Sequence, residues 1–458
     1  MNRNLSIFGQ DFTSVTGIKA EDTGGVTRLF VDTSDATATA ADIATGKTAY
    51  VDGAMVNGTG SGVPEPLDVD FIDYDGTLLH SYTAADFLTM SEMPPYPSHS
   101  GLVAQGWNWT IEDAQDYVTN HGRLIIGQMY TTSDGATKFY IDIPPGAGAE
   151  QLYFCLRFSA AEDGTEVEID WGDGATTTHS IGTTAVTCEH LYSIGGAYCV
   201  SCKPAEGSSL TIYRNTENST AGPTNFTTAT VAYKSRIIAV RIGEGITTIG
   251  QNAFYDCLSL EYVTVPSSVT SIERDVFRRA YSLASFTIPS SVTSLGPYIF
   301  YSASGLVSVS IPNSIISLGD YTFYGCYALK SVIIPDSVTT IGADLFYQCY
   351  ALPSITLNSG ISNISSYFLY GCYSLKSVTV PASVSQVGGS AFRNCTSMGE
   401  YHFLRETPPY LMSANAFTGI PAGCVIYVPY SADHSILNAY KTDTNWSTYA
   451  SYMQEEPA

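Results

Sequence analysis

Between residues 236 and 404, apolar positions recur at a fixed step of 23 residues. Phe254, Phe277, Phe300, Phe323, Phe346 and Phe392 form one column, with Leu369 in the remaining place. Leu260, Leu283, Leu306, Leu329, Leu352, Leu375 and Met398 form a second. Ile249, Ile272, Leu295, Leu318, Ile341, Ile364 and Val387 form a third. Pro266, Pro289, Pro312, Pro335 and Pro381 keep the same step, with Asn358 in their gap. A period of this length predicts a stacked solenoid, in which each coil buries its apolar face on the next. From the leucine to the proline, apolar and polar residues alternate, which predicts a short strand. Proline cannot donate to a sheet ladder and closes that strand. Gly250, Gly296, Gly319, Gly342 and Gly388 follow the third column and predict a turn. The phenylalanine then fills the coil interior. Parallel strands stacked about 4.8 Å apart make the repeats a rod on the order of 35 Å long.

The pattern changes on either side. Val69 to Ile72 is an apolar run before Asp75-Gly76, which reads as a β-turn between two strands. Val167, Ile169 and Trp171 alternate as the inward face of a strand. Residues 32–62 are rich in small residues, Thr, Gly and Asp, and residues 215–232 read as a Thr/Asn-rich connector or the solenoid's entry cap. After residue 404 the step is lost, as expected of a cap over the last apolar face. There Asn438 to Met453, with Tyr440, Trp446 and Tyr449, predicts a short amphipathic helix. The chain is therefore expected to be mainly β and multidomain. Its parts are an N-terminal module at 1–62, a small β-rich module at 63–149, a β-sandwich with linker at 150–227, the solenoid at 228–404 and a cap at 405–458.

Charge divides the 458 residues unevenly. Residues 1–232 hold 29 acidic and nine basic side chains, whereas residues 233–400 hold nine of each. An acidic front and a neutral solenoid exclude direct nucleic-acid binding, which needs a basic face. The start, MNRNLSIFGQDF, does not read as a signal peptide, and no apolar run reaches the length of a membrane span. Membrane insertion is not expected.

Cys257, Cys326, Cys349, Cys372 and Cys395 share one repeat column with Ala280 and Ala303. Alternation with alanine predicts small, buried, reduced thiols rather than a disulfide framework. Cys188, His190, Cys199 and Cys202 have ligand-like spacing for zinc. However, Tyr198, Val200 and Cys202 alternate on one strand, which turns Cys199 to the other face, and no metal or cofactor is expected. Asp73-Tyr74-Asp75-Gly76-Thr77 resembles the nucleophile loop of haloacid-dehalogenase-type phosphatases. The following residues, with His99, Trp107 and Trp109, do not read as the repeated strand–helix pairs that chemistry requires. No other catalytic constellation is present, so no enzyme is expected.

Binding chemistry concentrates in tyrosine, of which the chain has 32. Tyr255, Tyr301, Tyr324, Tyr347 and Tyr370 follow the phenylalanine column, with Arg278 and Arg393 at the other two places. Tyr281, Tyr327, Tyr350 and Tyr373 stand three positions later. Flanking buried Phe and Cys, at least one of the two columns is expected to face outward, and both are candidate contact residues, since tyrosine offers rigid area with a polar tip. The alternative is that one column lines the coil corner and packs on its neighbours.

Three resemblances add to this reading. The repeat, close to SVTSIGxxAFxxCxxLxxVTIP, resembles the BspA-like leucine-rich repeat of bacterial surface and adhesion proteins. Trp171 to Gly174 with His190, Tyr192, Gly196, Tyr198 and Val200 resembles the polycystic-kidney-disease (PKD) type β-sandwich. Ala41 to Thr59, anchored by Gly46, Lys47, Thr48, Ala49, Tyr50, Val51, Gly53 and Gly58, resembles a module of phage tail proteins. Together they imply a virion tail protein of receptor-binding type. Its front would hold tail or baseplate proteins, and its solenoid would meet a host surface glycan or protein. Tail fibres of this kind are commonly trimeric, so the resemblance implies a homotrimer. The alternative is a bacterial cell-surface or secreted adhesin with the same repeats.

Overall fold

The computed structural model describes residues 68–143, 152–213 and 236–457, and the strands of a separate unit, Met1–Leu67. In that unit β1 (Leu5–Ile7) pairs with β2 (Gln10–Phe12). The strands β3 (Gly17–Glu21), β4 (Thr27–Val31), β5 (Thr48–Val51) and β6 (Ala54–Asn57) make a second sheet. The side chains of the Ala41 to Thr59 phrase and the connector at 215–232 lie outside the described residues.

The next module runs β7 (Val69–Ile72), β8 (Leu78–Tyr82), α1 (Ala84–Phe87), β9 (Leu102–Trp107), α2 (Ile111–His121) and β10 (Leu124–Thr132). Its sheet order is β8-β7-β10-β9, with β10 parallel to β7. The helix α2 is a departure from the β-rich expectation. Its signals are local: the Thr110 side chain accepts from the Asp113 backbone N–H, and Gly122 closes the helix at φ 73°. The expected turn is present, with Gly76 at φ 85° between β7 and β8.

A β-sandwich follows: β11 (Thr137–Ile143), β12 (Tyr153–Ala160), β13 (Thr165–Asp170), β14 (Thr176–Ile181), β15 (Val186–Leu191), β16 (Gly196–Pro204) and β17 (Leu210–Tyr213). One sheet is β14-β13-β16-β11 and the other β15-β12-β17. Phe139, Phe154, Phe158, Val167, Ile169 and Trp171 are buried in one core cluster. Thr137–Ile143, which the sequence division places before the boundary at 149, pairs with β16 of the sandwich.

Both sandwich sheets run on into the solenoid. The first coil supplies β18 (Ile237–Arg241), which pairs with β11, and β19 (Ile246–Ile249), which pairs with β17. The sandwich thus caps the solenoid's N-terminal end by hydrogen bonding, and its core is continuous with the solenoid core. Beyond it two rows of parallel strands stack. Tyr262–Thr264, Ser285–Thr287 and Ser308–Ser310 continue the row expected between leucine and proline. Ser271–Ile272, Ser294–Leu295 and their successors form a second row at the third apolar column, where only a turn was expected.

The phenylalanine column lies inside, stacked ring on ring from Phe254 to Phe346 at 5.2–5.7 Å. At the exception, Leu369 has buried Phe368 beside it, so the bulk moves over by one residue. The expected turn follows each glycine of the column, but the glycine's own backbone freedom does not make it. None of its members has positive φ. At Gly296, Gly342 and Gly388 an added Cβ would run into the backbone of the preceding coil. Close packing of coils, not turn geometry, keeps those positions small. Asn358 replaces proline by bonding, its amide donating to the carbonyls of Pro335 (2.6 Å) and Val338 (3.0 Å).

The stacking continues past residue 404 at a longer step. Phe417 stacks on Phe392 at 5.2 Å, and Tyr410–Leu411 and Val425–Val428 extend the two rows. The expected single helix is instead α3 (Ser435–Thr442) and a 3-10 turn (Trp446–Tyr452). The Asp443 carboxylate breaks it by accepting from the backbone N–H groups of Asn445 and Trp446. Tyr440, Trp446 and Tyr449 are buried over the end of the core, as their spacing indicated.

Candidate binding surface

Each coil makes its outward corner with two left-handed residues around the phenylalanine. The first column is Asn252, Asp275, Tyr298, Tyr321, Asp344, Tyr367 and Ser390, at φ 54–60°. The second is Asp256, Arg279, Ser302, Gly325, Gln348, Gly371 and Asn394. Between them the backbone bonds outward to the next coil: Tyr321 N–H to Ala343, Phe323 N–H to Leu345 and Gly325 N–H to Tyr347. Phe323 and Cys326 face the core, which turns Tyr324 and Tyr327 to the surface.

The tyrosines after the phenylalanine column form a ladder. Tyr301, Tyr324, Tyr347 and Tyr370 stack face to face at 4.5–4.6 Å and within 4° of parallel. Arg278 closes one end, its guanidinium 4.4 Å from the Tyr301 ring centre and 5.4 Å from that of Tyr255. Arg393 lies over Tyr370 at the other end, at 5.9 Å. The second expected column stacks as Tyr327, Tyr350 and Tyr373 at 4.7 and 4.8 Å. Tyr327 and Tyr373 are 44% and 43% exposed, whereas the first ladder is half-buried. Tyr281 stands apart, with Ser304 in the intervening place, and bonds Arg279 at 3.0 Å.

Sequence reasoning missed a third column. Tyr298 stacks on Tyr321 at 4.7 Å, and Tyr321 and Tyr367 interlock with Tyr324 and Tyr370 at 5.9 Å. The signal was legible: Asn, Asp and Ser at the same step mark a left-handed turn position. A tyrosine held there costs on the order of 1–3 kcal/mol.

Burial, and then the neighbouring tyrosines, push the Tyr324 hydroxyl pKa up. Asp344 lies in the same left-handed column as Tyr321 and Tyr367. Burial, with a smaller push from Asp320, raises its carboxyl to about 6. At the Arg278 end the charges pair: Asp275 meets Arg274 at 2.9 Å and Arg278 at 3.1 Å, and Arg279 meets Asp256 at 3.0 Å.

The strand face of the solenoid is partly covered by the 68–132 module. The Asn108 amide donates to the Ile288 carbonyl and the Ser310 hydroxyl, both at 3.0 Å. Trp109 Nε1 donates to the Ile311 carbonyl (3.1 Å) and the Tyr117 hydroxyl to the Ile334 carbonyl (3.0 Å). Ile288, Ile311 and Ile334 are one repeat column, so three successive coils are gripped at the same carbonyl. Thr287 and Ser310 are consequently buried, while Thr356 and Thr379, farther along the row, are exposed.

The other residues with candidate chemistry have structural partners. Asp73 is buried, accepts from the Tyr74 backbone and meets His99 Nε2 at 2.7 Å. Asp75 accepts from the Thr77 backbone within the turn. Trp107 and Trp109 are core residues of their module. Cys188 and Cys202 are in the sandwich core, whereas His190 stacks on Trp171 and meets Asp173 at 2.7 Å. Cys199 is on the other face of β16, half-buried. Among the described residues no group of three or more His, Cys, Asp or Glu side chains comes together to hold a metal. The thiols of Cys326, Cys349 and Cys372 each donate at 3.2 Å to a phenylalanine carbonyl of the preceding coil.

Residues 224–342 and 316–419 match the family model described as the BspA type Leucine rich repeat region, in six copies. The repeats are BspA-like leucine-rich repeats. A leucine rich repeat protein of T. pallidum is 28% identical, with 35% of this chain and 78% of that one covered and a TM-score of 0.33. A leucine rich cell surface protein of Faecalibacterium prausnitzii is also 28% identical, with 44% and 62% covered and a TM-score of 0.30. The pneumococcal vaccine antigen PcpA is 16% identical, with 46% and 64% covered and a TM-score of 0.26. Comparison with curated proteins finds no match. Among the described residues no helix is long and apolar enough to cross a membrane.

Proposed function

We propose that the protein is a non-catalytic adhesin of the bacterial cell surface, which attaches to its target through the tyrosine columns of its BspA-like repeats. The observation that carries this is the left-handed tyrosine column. Tyr298, Tyr321 and Tyr367 occupy strained backbone without filling the core, which supports a contact role for them in addition to their stacking on neighbouring tyrosines. Three aromatic columns on a neutral solenoid suit a glycan or protein target better than a polyanion. In this reading the sandwich, PKD-like in its Trp171 and His190 segments, is a cap and spacer.

A second reading has one specific support. The Ala41 to Thr59 phrase resembles phage tail modules and favours a virion protein that holds the tail by its front and a host by its repeats. One experiment tests both. Fluorescently labelled full-length protein is offered to Gram-positive bacterial cells and to mucin-coated or epithelial surfaces. Adhesion to the animal surfaces fits the adhesin, and adhesion to bacterial cells alone fits the tail protein. In either case replacing Tyr324, Tyr347 and Tyr370 together by Ala is expected to weaken attachment strongly, since a buried aromatic anchor contributes ~2 kcal/mol. Unchanged attachment of a folded triple variant removes the tyrosines from the function.

A further inference from the structure

The tyrosine columns spend their ring faces on one another. Tyr324 and Tyr347 are stacked on both sides, and so is Tyr350. The outer faces of Tyr301 and Tyr370 are taken by Arg278 and Arg393. A ligand therefore cannot lie flat on the rings from Tyr301 to Tyr370 or on Tyr350, and only the outer faces of Tyr327 and Tyr373 stay free. What remains open is a comb of ring edges and phenol hydroxyls, spaced 4.5–4.8 Å along the coil axis. Each hydroxyl both donates and accepts.

We infer that this comb binds a neutral, extended, β-linked polysaccharide laid along the coil axis, rung by rung, through hydroxyl–hydroxyl hydrogen bonds. The inference rests on the tyrosine columns being the contact surface. Three observations select the ligand. The first is period. An extended peptide presents like-facing residues about every 6.8 Å, which falls out of step with the comb after one or two rungs. In an extended β-linked chain alternate pyranose units turn over, but each unit carries hydroxyls on both edges, so every unit, about one rung long, offers one to the comb. The second is charge. Asp320 and Asp344 flank the columns, and the arginines at the Arg278 end are already paired with Asp256 and Asp275, which leaves no free positive charge at that end to draw an anionic chain. The third is shape. The comb repeats at nearly constant spacing over Tyr327, Tyr350 and Tyr373, which favours a polymer over a compact ligand.

The test uses the full chain in calorimetric titration with cello- and chito-oligosaccharides, from disaccharide to hexasaccharide, and with polygalacturonate as an anionic counter-probe. Affinity is expected to rise with each added sugar, and polygalacturonate is expected not to bind. Replacing Tyr327, Tyr350 and Tyr373 together by Phe keeps the stack and removes the hydroxyls. That variant is expected to lose about tenfold or more in affinity, the scale of several lost hydrogen bonds. Equal binding by the Phe variant overturns the edge-on mode. If neither oligosaccharide series binds but surface attachment is still lost in the Tyr→Ala variant, this inference fails and the adhesin reading stands. If attachment survives Tyr→Ala as well, both fail.

Discussion

Asp344 is the residue whose ionisation works against the fold. Its ordinary carboxyl value is 3.8, and burial raises it to about 6. A raised carboxyl means that the folded state holds its proton more tightly than the unfolded state does. The penalty is absent below about pH 4, grows as pH rises between the two values, and is complete above 6. Asp344→Asn removes it and keeps a residue that tolerates left-handed backbone. The variant is expected to melt higher than the parent at pH 8 and to lose that advantage at pH 4. A pH-independent difference between the two melting curves would refute the account. The buried thiols make a second residue-scale case. Burial pushes Cys188 up to about 12 and Cys349 and Cys372 well above the ordinary thiol range. Of the ten cysteines only Cys155 and Cys199 are half-exposed. A thiol reagent at pH 8 is expected to titrate at most about those two in the folded protein and all ten after unfolding. Reaction of the Cys326–Cys372 column in the folded state would show that the coils open.

At the scale of elements, the solenoid was legible because each coil repeats the same burial problem. Phe323 is fully buried between Phe300 and Phe346, and truncating it to Ala is expected to cost about 3–5 kcal/mol in denaturant unfolding. A cost below 1 kcal/mol would mean that the coils close over the cavity. What escaped the sequence was pairing between unlike elements. Nothing in the Thr137–Ile143 stretch says that it bonds both the sandwich strand at Gly196–Pro204 and the first coil at Ile237–Arg241. Register between distant strands is a property of the assembled sheet. The second strand row was hidden for a related reason: two-residue strands such as Ser271–Ile272 are too short to show alternation. The tyrosine columns were half legible. Their period was visible, but stacking that consumes the ring faces follows from coil spacing. The third column carries its own signal, because Asn252, Asp275, Asp344 and Ser390 at the same step mark a left-handed turn position.

For the whole molecule, the consequence is that the solenoid is expected not to fold alone from its sequence boundary at residue 228. A chain beginning at residue 228 would lose β11 and β17, leaving the outer edges of Ile237–Arg241 and Ile246–Ile249 unpaired at the end of an apolar core. Such edges recruit other chains. It would also lose the 68–132 module, whose Asn108, Trp109 and Tyr117 satisfy carbonyls on three coils. The two losses can be told apart. Asn108→Ala in the full chain leaves the cap intact but strips partners from the Gly127 backbone N–H and from Ser310. It is expected to cost about 1–3 kcal/mol without aggregation. Residues 68–458 should elute as a discrete folded species in gel filtration, with cooperative melting by circular dichroism. Residues 228–458 should aggregate or melt without a transition. If the shorter chain is soluble and melts cooperatively, the repeats cap themselves, and the continuous sheets between sandwich and solenoid are not what holds the N-terminal end closed.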